Sequence, residues 1–79
     1  MEKSEIQKRV KMVIGNVLKT DSSEIADDAN FIFDLGADSM QSVELVAGFE
    51  EEFDIELDED RALETQNIED AVNFIAEYL

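Results

Sequence analysis

Apolar side chains recur at helical spacing in three segments of this 79-residue chain. The segments cover about residues 5–18, 39–53 and 68–79, and apolar positions in each lie three or four residues apart. An acid-rich stretch near residues 59–63 has room for one short helix, and no segment alternates as strands do. The pattern predicts an all-α fold: a small four-helix bundle with three longer helices and one short one, forming a single domain over residues 1–79.

The connection between the first two predicted helices, residues 19–38, has no clear period. About 20 residues is long for a connection in so small a domain, and such loops are often functional. Ile25, Phe31 and Leu35 stand among acids here, which indicates that the loop lies across the core. Gly36 near its end predicts a backbone conformation that other residues avoid.

Capping residues mark where the helices begin. Asp38 is a good N-cap for the second helix, and Gln41 three residues later completes a capping box. Ser39 is thereby placed at about the first helical position. Ser4 with Gln7, and Asn67 with Asp70, predict similar starts for the first and last helices.

Helical projection divides the second predicted helix into two sides. The core stripe is predicted to contain Val43, Leu45, Val46, Phe49 and Phe53. The opposite, largely acidic side is predicted to contain Gln41, Glu44, Gly48, Glu51 and Glu52. Met40 and Ala47 border that side, so an apolar edge accompanies the charge.

Charge is distributed unevenly along the chain. The formal net charge is −15, yet residues 1–19 hold five of the six basic side chains and only two acids. Such an acidic chain is a poor candidate for binding nucleic acid or anionic lipid. The acidic surface either maintains solubility or forms a face for basic partners. The 44% hydrophobic content, patterned as above, favours a folded domain over disorder.

The absence of Cys and His removes several chemistries. No thiol nucleophile, Ser-His triad or thiolate–imidazole zinc site can form. Residues 54–65 resemble a calcium loop only in part, since Glu59 stands where glycine is needed and Thr65 where a bidentate Glu is needed. No specific metal site is predicted, and a serine hydrolase is excluded because no histidine can act as its base.

Ser39 is the candidate that remains. Backbone N–H groups and the helix dipole at a helix start favour a phosphate joined to that serine. Helix-terminus reasoning alone leaves open that Ser39 is only a helix-start residue beside its cap, Asp38.

The motif Asp34-Leu35-Gly36-Ala37-Asp38-Ser39-Met40 resembles that of acyl carrier proteins. Val43-Glu44-Leu45-Val46 and Glu50-Glu51-Glu52-Phe53-Asp54 extend the resemblance, which covers almost the whole chain. The resemblance implies that Ser39 carries 4′-phosphopantetheine, installed from coenzyme A by a phosphopantetheinyl transferase. The arm ends in a thiol on which acyl groups travel as thioesters, which explains how a protein without Cys handles them.

The resemblance also implies two sets of binding residues. Basic patches on ketoacyl synthases, reductases, dehydratases and acyltransferases would dock on Asp38, Met40, Glu44, Ala47, Glu50, Glu51, Glu56 and Glu59, with Asp38 also meeting the transferase. The acyl chain would enter a core pocket drawn from Phe31, Leu45, Val46, Phe49, Leu57, Ala62 and Ile75.

The expected role is that of a monomeric, cytoplasmic, non-enzymatic carrier in fatty-acid or related lipid biosynthesis, with no nucleic acid partner and no membrane insertion. Met40, Gln41, Gly48, Asp58 and Thr65 depart from the commonest family pattern. They leave open a dedicated carrier for polyketide or aminoacyl intermediates. The alternative of another class is an acidic helical interaction module without a prosthetic group.

Overall fold

A computed structural model describes all 79 residues and contains four α-helices and no strands. The helices are α1 (Lys3–Leu18), α2 (Ser39–Phe53), α3 (Glu59–Glu64) and α4 (Ile68–Ala76). None of them has the length and apolar character needed to cross a membrane. The predicted all-α bundle of three longer helices and one short helix is confirmed.

One core unites the three longer helices. Its most deeply buried side chains are Ile6, Val10 and Ile14 of α1 with Ile68 and Ile75 of α4, each at most 1% exposed. The loop from 19 to 38 does lie across this core, since Ile25 and Phe31 are buried and Leu35 is half-buried. It also contains a short 3₁₀ turn, Ser22–Glu24, that periodicity did not predict.

Two predicted helix ends are wrong. α1 begins at Lys3 with Glu2 as N-cap and no side-chain cap, so Ser4 lies within the first turn and forms no capping box with Gln7. α4 ends at Ala76. The N–H groups of Glu77, Tyr78 and Leu79 donate to carbonyls three residues back, so the chain tightens into a 3₁₀-type turn there. The Asn67 cap is confirmed, since its side chain accepts the N–H of Asp70 at 2.8 Å.

The buried stripe of α2 is rotated from its predicted position. Leu45, Val46, Phe49 and Phe53 are buried, but Val43 is 48% exposed. Gly48, predicted to lie on the outer side, faces α1: a Cβ built on it would lie 2.7 Å from Cγ1 of Val13. The stripe is displaced because α1 packs against that side of α2.

Arg9 of α1 fixes the far end of this helix pair. Its guanidinium pairs with the Glu52 carboxylate at 2.7 Å and donates to the Glu52 carbonyl at 2.5 Å. It also lies over the Phe53 ring, 4.6 Å from the centroid. Glu52, predicted on the outer side, therefore binds Arg9 of α1 and does not face freely outward.

Gly15 allows α1 to end closely packed against the loop that follows. Its carbonyl accepts the N–H groups of Lys19 and Thr20. A Cβ at this position would lie 2.8 Å from the Thr20 carbonyl oxygen, which is backbone and cannot rotate away. Glycine costs about 1 kcal/mol in helix propensity relative to alanine, but the collision that an alanine Cβ would make with the Thr20 carbonyl costs more.

We predict that Gly15→Ala lowers the free energy of unfolding by about 1–3 kcal/mol, although alanine is the better helix former. Urea denaturation of both proteins measures the difference. Asn16→Ala, at the next and exposed position of α1, is the control and should leave stability unchanged or slightly increased. A Gly15→Ala protein as stable as the wild type would contradict the packing described.

Candidate functional site

A compact hydrogen-bonded turn, residues 30–34, leads the loop toward α2; we call it the Asn30 turn. The Asn30 Oδ1 atom accepts the N–H groups of Ile32 and Phe33, both at 2.9 Å. The Asn30 N–H donates in return to Asp34 Oδ2 at 2.7 Å. Such Asn and Asp side-chain bonds stabilise turns, so the backbone before α2 is fixed.

The Asn30 turn is also joined to the start of α4. Asn30 and Asn67 form an isolated antiparallel bridge, and the Phe31 N–H donates to the Gln66 carbonyl at 3.0 Å. Gly36 then adopts φ +70°, the left-handed conformation predicted for it. These contacts set the direction in which the chain enters α2.

Asp38 begins α2 with the predicted capping box. Its Oδ1 accepts the Gln41 N–H at 2.7 Å, and Gln41 Oε1 accepts the Asp38 N–H at 3.1 Å. The N–H of Ser42 donates to the Asp38 carbonyl at 2.9 Å. The box and the predicted bounds of α2 are confirmed.

Ser39 is the first residue of α2 and is exposed, as the sequence predicts. The N–H groups of Ser39 and Met40 donate to no atom of the protein. Unpaired N–H groups at the positive end of a helix suit a phosphate diester. These residues therefore fit a phosphopantetheine joined to the Ser39 oxygen, which would supply a thiol at the end of a flexible arm.

A mostly apolar cavity of about 440 Å³ opens between the Asn30 turn, α2, α3 and α4. Ser42, one turn of α2 after Ser39, lines it. All seven residues that the resemblance assigns to an acyl pocket line this one cavity: Phe31, Leu45, Val46, Phe49, Leu57, Ala62 and Ile75. The structure brings them together, and what the cavity binds stays a prediction.

Sequence reasoning missed part of the cavity wall. Ile32 and Phe33 of the Asn30 turn line it, as do Thr65 and Phe74. Thr65, one of the departures from the family pattern, is half-buried and donates its hydroxyl to the Ala62 carbonyl at 2.6 Å. The apolar character of Phe33 and Phe74 was visible in the sequence, but their shared wall depends on contacts between distant segments.

The cavity wall formed by α3 is tied to α4 by Arg61. Its guanidinium pairs with Glu77 at 3.0 Å and lies 4.9 Å from the centroid of the Phe74 ring. Hydrogen bonding with Glu77 raises the pKa of Arg61 above its usual value. A second contact joins the same elements, since the Tyr78 hydroxyl accepts the Asp58 N–H. These contacts tie the short helix α3 and the residue before it to α4 and the turn that follows it.

Seven of the eight predicted docking residues are exposed, and Glu50 is the exception. Glu50 is half-buried, and its Oε2 accepts the Leu57 N–H at 2.9 Å, so it also supports the loop after α2. The others are exposed: Asp38, Met40, Glu44, Ala47, Glu51, Glu56 and Glu59. No three acidic side chains are grouped in the way that holds a metal ion.

The fold and site define a small helical protein with an exposed serine at a helix start and an apolar cavity that begins one turn further along the same helix. Residues 8–75 match the family model described as "Phosphopantetheine attachment site". The chain is 49% identical to the acyl carrier protein of Caulobacter vibrioides (strain NA1000 / CB15N) over 74 residues, which are 94% of this chain and 95% of that protein.

Two further relatives carry the same name. The acyl carrier protein of Phenylobacterium zucineum (strain HLK1) is 47% identical over 76 residues, 96% of each chain. That of Guillardia theta is 44% identical over 77 residues, 98% of this chain and 95% of that protein. The chain belongs to the acyl carrier protein family: it is a carrier of acyl groups on a covalently attached 4′-phosphopantetheine, and not an enzyme.

We predict that Asp38→Ala lowers the free energy of unfolding by about 1 kcal/mol, because the Gln41 N–H loses its acceptor. Asp38→Ser is the matched control, since serine also caps helices and should retain most of the stability. Equilibrium urea denaturation provides the comparison. Equal stability of the alanine and serine variants would show that the cap contributes nothing.

Proposed function

We propose that this single domain, residues 1–79, carries acyl intermediates on Ser39 during fatty-acid or related lipid biosynthesis. One observation carries the proposal: Ser39 is exposed at the start of α2, beside two unpaired N–H groups and one turn from Ser42 of the cavity. The family supplies the acyl-carrier role. The pathway, and the assignment of the attachment to Ser39, are what we propose beyond that role.

The cavity supports an acyl chain as the cargo. Its wall is made mainly of aliphatic and aromatic side chains, and burying each methylene of a chain there is worth about 0.8 kcal/mol. A small polar aminoacyl group would gain little from such a wall. Peptidyl carriers usually have Gly-Gly before the residue that precedes the serine, so Gly36 followed by the buried Ala37 favours an acyl carrier over a carrier of aminoacyl groups.

The exposed acids of α2 favour partner enzymes whose docking patches are basic. Glu44 and Glu51 are exposed on α2 after Ser39, and neither forms an ion pair within the protein. No basic side chain occurs between Lys19 and Arg61. Ketoacyl synthases, reductases, dehydratases, acyltransferases and the phosphopantetheinyl transferase are the proposed partners, met in the cytoplasm.

We predict that a phosphopantetheinyl transferase with coenzyme A and Mg²⁺ adds one phosphopantetheine to the wild type, observed by intact-mass spectrometry. Ser39→Ala should gain none, because the acceptor oxygen is absent. Ser42→Ala is the matched control: it removes a serine three residues on in the same helix and should still be modified. Wild-type protein left unmodified by several transferases would contradict the proposed function.

We predict that Glu44→Lys weakens binding to a ketoacyl synthase and flattens its dependence on salt, because a docking charge is reversed. Titration of the synthase at several ionic strengths measures both effects. Glu69→Lys, an equal change of charge at an exposed position of α4, is the control. If the two variants weaken binding equally, net charge is responsible and Glu44 belongs to no docking face.

A further inference from the structure

Two apolar side chains of the Asn30 turn face water at the rim of the cavity. Phe33 is 88% exposed, the largest fraction among the large apolar side chains, and Ile32 is 62% exposed. Both line the cavity mouth rather than its floor, since the chain before and after them is buried at Phe31 and half-buried at Leu35. An exposed aromatic side chain at the rim of an apolar cavity needs a physical explanation.

The backbone holds these side chains outward in a fixed geometry. Asn30 Oδ1 binds both of their N–H groups, and the Ile32 carbonyl accepts the Gly36 N–H at 3.1 Å. None of these bonds involves the Phe33 side chain. Because the backbone that carries Phe33 is already ordered, docking of the ring costs little backbone conformational freedom, and an aromatic side chain has only two side-chain torsions to restrict.

Charge indicates what covers the ring. Asp34 follows Phe33 directly, Glu64 lines the same cavity, and Asp38 begins the next helix; all three are exposed. A second copy that docks through its own Asn30 turn would bring the same acidic side chains to this place, and an anionic membrane would also bring like charge. A protein surface with lysine or arginine around an apolar recess complements both features.

We propose that Phe33 is a docking anchor that inserts into an apolar recess, bordered by Lys or Arg, on the enzymes that act at Ser39. The inference rests on the proposed function and extends its docking face from the acids of α2 to the Asn30 turn. The acids of α2 provide attraction at a distance, whereas Phe33 provides desolvated contact area.

The test compares Phe33→Ala with the wild type in binding to two enzymes of the source organism, a phosphopantetheinyl transferase and a ketoacyl synthase. The affinity for each should fall at least about tenfold, with the turnover number unchanged, because a central aromatic contact is lost. The salt dependence should keep its slope, because no charge changes. Phe33→Leu should recover part of the affinity. Met12→Ala, which trims a 49% exposed side chain on α1, is the control and should bind as the wild type does.

Other outcomes would overturn the anchor. Unchanged affinity of Phe33→Ala for both enzymes, with Ser39 still modified, removes the anchor and leaves the proposed function intact. Faster thioester hydrolysis in isolated acylated Phe33→Ala, with unchanged enzyme affinity, would make the ring a cover for the protein's own cargo. A wild-type dimer that Phe33→Ala dissociates in sedimentation would make it a self-association contact.

Discussion

The carboxylate of Asp38 fixes the point where the loop becomes helix, and the geometry of the site depends on that point. The carboxylate accepts the N–H of Gln41, one of the helix-start donors that have no partner within the helix, and it leaves the N–H groups of Ser39 and Met40 unpaired. An anion at Ser39 would therefore add to the helix end without competing with its cap. The left-handed Gly36 and the Asn30 turn bring the chain to this point in one direction.

The second constraint is an incompletely filled core. α1 packs against α2 and α4; Gly48 permits its close approach to α2, and Gly15 permits the following loop to pack against its end, where a Cβ would collide. The side of α2 that faces α3 has looser surroundings, and about 440 Å³ remains open there. A six-residue helix tied by Arg61 forms part of that wall. The protein thus combines one tightly packed side with one side able to admit an apolar chain.

The sequence predicted what local interactions determine. The bounds of α2, its capping box and the Asn67 cap depend on residues three apart, and all were confirmed. The seven residues assigned to a pocket came from the family resemblance, and they do line one cavity. Val43, Gly48 and Glu52 were misplaced because their environment depends on where α1 packs, which the periodicity of α2 alone does not contain. The exposure of Phe33 was missed for a similar reason, since the Asn30 turn fixes it.

We propose that an acyl chain attached through Ser39 lies in the cavity lined by Leu45, Phe49 and Ile75. The most direct measurement is the free energy of unfolding of the protein loaded with saturated acyl chains of increasing length. We expect the free energy of unfolding to rise with each added methylene, by up to about 0.8 kcal/mol, and to level off once the cavity is full. A stability independent of chain length would contradict it.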